Sequence, residues 1–297
     1  MLARLCIAAT LLGASFGASL SAKRQSVTML TTAEIDAFTQ YTWFASAAYC
    51  SPMLTLAWNC GVNCNANAGF QPVASGGDGS SIQFWYVGFA PSLGEVIVAH
   101  QGTNTSSIVA DLTDINIIMG TLNSTLFPGV PSSVKVHEGF RNVQEKTATT
   151  ILADVRSALT AHSASKVTVV GHSLGGAISL IDAFYLSLQL PASVSVKLVS
   201  YGMPRVGNQA WASLLDASRV SITHINNRED PVPILPGMFL GFHHPAGEIH
   251  IQDSGAWDAC PGDDNPSTLC IVGDVPTIFT SNPGDHDGPY NGVTISC

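Results

Sequence analysis

Hydrophobic and polar positions in the second half of the chain switch repeatedly between two periods. Glu95 to His100 is a short run of strand character, and Arg141 to His162 carries apolar residues at helical spacing. Lys166 to Val170 is rich in β-branched residues, whereas Leu174 to Leu190 is apolar on most sides and stops before Pro191, which predicts a buried helix. Val196 to Tyr201, Gln209 to Asp216 and Val220 to Asn226 predict strand, helix and strand in turn. Strand followed by helix, repeated, implies an α/β fold: a central, mostly parallel sheet with helices on both faces. Active sites in such sheets lie beyond the carboxyl ends of the strands, so catalytic side chains are expected just after strands.

The N-terminal pattern is different. Arg4 precedes an uncharged apolar run, Leu5 to Phe16, and then small residues to Ala22, which predicts a secretory signal peptide over residues 1–22. Lys23-Arg24 is a candidate dibasic processing site that would leave Gln25 as the first mature residue. Without that segment, 9 basic residues face 21 acidic ones, a balance that argues against nucleic acid or an anionic membrane as partner. No later stretch is long and apolar enough to span a bilayer. No linker divides residues 25–297, which are expected to form one domain. Cys6 falls in the leader, leaving Cys50, Cys60, Cys64, Cys260, Cys270 and Cys297. An even set in a secreted, extracellular chain predicts disulfides, although the count alone leaves about 15 pairings open. Zinc is disfavoured because Cys60 and Cys64 have no matching Cys or His pair.

Candidate chemistry begins at Gly171-His172-Ser173-Leu174-Gly175-Gly176. A β-branched run leads into Gly-x-Ser-x-Gly and an apolar helix follows, which is the context of a nucleophile elbow. The turn is so tight that Gly171 and Gly175 must lack side chains, and Ser173 then projects above the sheet. The first free N–H groups of the helix, beginning at Leu174, point to where an oxyanion would form. A second donor is expected after Glu95 to His100, where Gly102 lets backbone approach and Thr103 offers N–H and hydroxyl.

With the order serine, acid, histidine, His100, His137, His162 and His172 precede or adjoin the serine and read as structural. His224 precedes Asp230, the best-placed acid, which follows a strand and sits before Pro231. Asp182 lies within the helix and reads as a packing or capping group, and the later acids lie in a turn-rich region without calcium-ligand spacing. Pattern alone leaves the base open between His286 and the pair His243-His244.

These residues resemble the fungal class 3 triacylglycerol lipases, from about Cys50 to Cys297. The likeness extends to Val136-His137-Glu138-Gly139-Phe140, to Gly202-Met203-Pro204-Arg205-Val206-Gly207-Asn208 and to Asn227-Arg228-Glu229-Asp230-Pro231-Val232-Pro233-Ile234-Leu235-Pro236. The resemblance implies an α/β-hydrolase fold, a Ser173, Asp230 and His286 triad, and Thr103 with Leu174 as oxyanion donors. It also implies the pairs Cys50–Cys297, Cys60–Cys64 and Cys260–Cys270. Three features depart from the family: Gln101 replaces the usual arginine, Tyr290 falls one residue late after His286, and the region 104–112 is a residue shorter and lacks a tryptophan.

The activity implied is hydrolysis of triacylglycerol or other esters through an acyl-enzyme on Ser173, at an oil–water interface, by a monomer without metal or organic cofactor. A feruloyl-esterase-like enzyme on soluble or cell-wall esters is one alternative, and an inactive secreted binding protein on the same fold is another. Ile108, Leu112, Ile115 and Met119 recur at helical spacing and are either lid or core. Asn104-Thr105-Ser106 and Asn123-Ser124-Thr125 fit the glycan acceptor pattern, with Asn123 the expected site because Asn104 adjoins Thr103.

Overall fold

The computed structural model describes residues 26–103, 105–113 and 117–297. The signal segment 1–22, the pair Lys23-Arg24, the acceptor Asn104 and the lid candidate Ile115 therefore lie outside the described residues.

Thirteen strands are described: β1 (Thr28–Met29), β2 (Gln71–Gly76), β3 (Trp85–Ala90), β4 (Glu95–His100), β5 (Met119–Thr121), β6 (Lys135–His137), β7 (Lys166–His172), β8 (Ser195–Tyr201), β9 (Gly207–Asn208), β10 (Val220–Asn227), β11 (Phe242–His243), β12 (Glu248–Ile251) and β13 (Trp257–Cys260). Nine form one sheet in the order β1-β13-β12-β10-β8-β7-β4-β3-β2, and β11-β9-β6-β5 form a small second sheet. The central strands β4, β7, β8, β10 and β12 run parallel. The margins are antiparallel: β2 with β3, β3 with β4, β12 with β13 and β13 with β1.

Side chains alternate across this sheet as the two-residue period requires. Val96 and Val98 of β4 enter one core, whereas Ile97 and Ala99 enter another on the opposite face. The helices, in chain order, are α1 (Thr32–Asp36), α2 (Thr39–Ala47), α3 (Pro52–Leu56), α4 (Val62–Asn65), α5 (Thr105–Thr113), α6 (Glu138–Ala161), α7 (Leu174–Gln189), α8 (Gln209–Asp216) and α9 (Ile271–Asp274). Residues of α6, α7 and α8 fill the Val96 side and residues of α2 the Ile97 side, so both faces are covered. Nearly every residue of α7 is buried, which explains why its sequence has no polar face.

Three boundaries differ from the pattern. The helix predicted from Arg141 begins at Glu138, because His137 Nδ1 accepts the Phe140 N–H and caps it. The strand predicted to end at Val170 continues to His172, held by β8. The apolar spacing from Ser107 to Met119 is not one helix: α5 ends at Thr113 and Met119 pairs with His137 in β5, so strand pairing overrides the local period. Ile108 and Leu112 are each 2% exposed and belong to the Val96-side core. The six cysteines form Cys50–Cys297, Cys60–Cys64 and Cys260–Cys270.

Candidate active site

Ser173 sits between the end of β7 and the start of α7 at φ +59°, a left-handed conformation uncommon for a residue with a side chain. The surroundings enforce it. A methyl group on Gly171 would overlap the Gly175 carbonyl, and one on Gly175 would overlap the His100 carbonyl and the Gln101 backbone. The two glycines are thus required by the packing of β7 and α7 against the end of β4.

Asp230 follows β10 and His286 follows a short 3-10 turn, Pro283–Asp285. His286 Nδ1 lies 2.8 Å from Asp230 Oδ2, and Ser173, Asp230 and His286 are all fully buried. Asp230 is itself held: its Oδ1 accepts the Val232 N–H at 2.8 Å. Asn227 Nδ2 donates to the Asp285 carbonyl at 2.8 Å, tying the His286 segment to the end of β10. Gly202, at φ +51°, passes beneath this pair, where an added Cβ would lie 2.9 Å from Asp230 Oδ2 and 3.0 Å from His286 Cε1. Ser173 Oγ and His286 Nε2 are both buried atoms with no hydrogen-bond partner among the described residues. An ionised carboxylate accepts only, so Nδ1 carries the proton toward Asp230 and Nε2 is left as a free base.

The competing histidines are engaged elsewhere. His243 Nδ1 lies 3.3 Å from Asp264, and His244 Nε2 donates to the Pro233 carbonyl at 2.8 Å. His244 stacks on His224, and burial pushes their pKa values down to about 3 and about 4, so both are neutral core groups. Asp182 contacts His100 at 3.0 Å and accepts from Gln144 inside the core.

Thr103 follows Gly102 at the end of β4 and is half-buried. Gln101, in place of the family's arginine, turns back to β3: its Oε1 accepts the Phe84 N–H at 2.9 Å, so it brings no charge to the loop. A separate apolar cleft of about 470 Å³ is lined by Leu112, Ile234, Leu235, Met238, Val275 and Ile278 among others. Two side chains beside it are nearly bare, Phe239 at 88% and Phe279 at 92% exposed. Asn123 is exposed. Gly202 stands out in the sequence only within the Gly202–Asn208 likeness, and neither period nor motif singles out Tyr49.

An elbow serine and a carboxylate beyond the ends of parallel strands, with a buried imidazole bonded to that carboxylate, define a serine ester hydrolase of the α/β-hydrolase type. Residues 97–240 match the family described as lipase (class 3). A secreted mono- and diacylglycerol lipase of Malassezia globosa is 31% identical over 276 residues, 86% of this chain and 85% of that protein. One from Gibberella zeae is 34% identical over 221 residues, 72% of this chain and 68% of that protein. The structure of Rhizomucor miehei lipase with its propeptide superposes with a TM-score of 0.77 at 26% identity, covering 91% of this chain and 86% of that one. Another structure, of a triacylglycerol lipase with a serine protease triad, gives the same TM-score and identity over 91% of this chain and 98% of that one. The chain belongs to the class 3 lipases. These likenesses do not favour the feruloyl-esterase and inactive binding-protein alternatives, and no helix among the described residues is long and apolar enough to cross a membrane.

Proposed function

We propose that the protein is a secreted lipase that cleaves acylglycerols through an acyl-enzyme on Ser173. The buried 2.8 Å contact between Asp230 and His286, beside an elbow serine, is the observation that carries this reading. His286 Nε2 takes the Ser173 proton as Oγ attacks the ester carbonyl. The N–H groups of Thr103 and Leu174 hold the oxyanion, and the dipole of α7 adds to their field. His286 then gives its proton to the departing alcohol, leaving Ser173 acylated. Water attacks in the second half, losing its proton to His286, and the fatty acid leaves as Ser173 regains a proton. Asp230 keeps the imidazole in the correct tautomer and stabilises its cation.

The substrate class rests on the relatives: those similar in sequence are named for mono- and diacylglycerols, and a structural neighbour for triacylglycerol. Residues 1–22 act as the export signal, residues 25–297 as one monomeric domain, and Asn123 as the glycan site. The helix α5 forms a lid with Ile108 and Leu112 facing inward. Phe239 and Phe279 already stand in solvent and offer a lipid surface roughly 1.5–3 kcal/mol each without lid movement. Interfacial activation is therefore weak.

The test is hydrolysis of mono-, di- and trioctanoin, together with the rate on tributyrin through its solubility limit. Turnover of all three glycerides is expected, with less than about a tenfold rise at tributyrin saturation. A jump of about a hundredfold would overturn the weak-lid reading. Activity on methyl ferulate with none on any glyceride would overturn the lipase reading.

A further inference from the structure

His172, the residue before the elbow serine, is fully buried and makes two hydrogen bonds that the chemistry above does not use. Its Nε2 lies 2.8 Å from the backbone carbonyl of His286, and its Nδ1 lies 2.7 Å from the hydroxyl of Tyr49. A carbonyl oxygen only accepts, so Nε2 carries the proton, Nδ1 of the neutral ring accepts, and Tyr49 donates. The Tyr49 hydroxyl also meets the oxyanion loop, where it packs against the Gly102 backbone. A methyl group on Gly102 would overlap that hydroxyl. Donors and acceptors thus run in one direction, from Tyr49 O–H to His172 Nδ1 and from His172 Nε2–H to the His286 carbonyl. Tyr290 Oη, 3.0 Å away, donates to the same carbonyl and completes its two acceptor positions.

The geometry points to a positioning relay: Tyr49 and His172 lock the oxyanion loop and the backbone of His286 into one fixed relation about Ser173. This inference rests on the triad of Ser173, Asp230 and His286. The two parts of the site come from β4 and from the C-terminal segment, with no covalent reason to keep register. Tyr49 is anchored at the end of α2, beside the Cys50–Cys297 bridge that ties down the chain's last residue. The relay must also stay uncharged. The His172 and His286 rings are 4.4 Å apart between centroids, and a second imidazolium there would oppose the cation that His286 becomes in each half-reaction. Burial, followed by the proximity of His286, holds the His172 pKa well below the usual range, which keeps it neutral.

The experiment compares Tyr49→Phe, His172→Leu, His172→Gln and the double variant Y49F/H172L on a soluble short-chain ester. Active sites are counted by phosphonate titration, so that folded protein alone enters kcat. Tyr49→Phe and His172→Leu are each expected to lower kcat per titrated site about 10- to 100-fold with KM changed less than about twofold. The double variant should lose no more than about threefold beyond the worse single one, because the members act as a unit. His172→Gln, which can still donate to the His286 carbonyl, should recover at least about tenfold over His172→Leu. A purely structural role would lower Tm and titratable sites while leaving kcat per site unchanged, and that result would overturn the relay. Additive losses in the double variant would overturn it too. A wild-type titrant bound at a residue other than Ser173 would instead overturn the triad on which it rests.

Discussion

Ser173→Ala and His286→Ala should each lower kcat on a soluble ester by about a millionfold, and the double variant by little more. The reason is geometric. Ser173 Oγ is the only oxygen of the elbow side chain, and His286 Nε2 is a buried base with no partner among the described residues, so losing either group removes proton transfer and attack together. The triad members act on one transition state, and their losses therefore do not add. Ser173→Ala leaves the Asp230–His286 pair intact and no buried charge unpaired, so it should fold with an unaltered far-UV spectrum. If His243→Ala or His244→Ala proved as damaging as His286→Ala in folded protein, the base would be misassigned.

Asp230→Asn should cost about ten-thousandfold in kcat, less than loss of the serine but more than loss of one oxyanion donor. The structure says why an isosteric change does so much. Asp230 Oδ1 accepts the Val232 N–H, so an asparagine would keep its carbonyl oxygen there and turn its NH₂ toward His286 Nδ1. An NH₂ cannot accept, so the imidazole would move its proton to Nε2, where it faces Ser173 as a donor rather than a base. Steady-state kinetics on p-nitrophenyl butyrate check the size of the loss. Retention of a tenth or more of wild-type kcat would show that Asp230 does not set the tautomer.

The parts of this molecule that were legible in its sequence are those governed by local period. The strands β4, β8 and β10 and the helices α7 and α8 follow from runs of apolar residues whose burial is set by the central parallel sheet. Much of the N-terminal half was not read, because its order is non-local: β1 has two residues and exists by pairing with β13, more than 200 residues later. The segment after α5 shows the converse, a helical spacing to Met119 that pairing with β6 overrides. At the site, the Ser173 elbow was readable because its glycines are neighbours in sequence. The choice of His286 over His243-His244 was not, since it depends on which imidazole reaches Asp230 Oδ2 in space. The partnership of Tyr49 with His172, a histidine that reads as structural from its place in the elbow, is hidden for the same reason: their contact spans 123 residues, and nothing in the period of either segment reports it.

The assignment of Ser173 as nucleophile is tested most directly by labelling the mature protein with a p-nitrophenyl alkylphosphonate and locating the adduct by peptide mass spectrometry. One phosphonate per chain, on the peptide bearing Ser173 and absent from Ser173→Ala, is the expected result, with ester hydrolysis lost in proportion to labelling. An adduct on any other residue, or a Ser173→Ala protein that still labels and turns over, would contradict it.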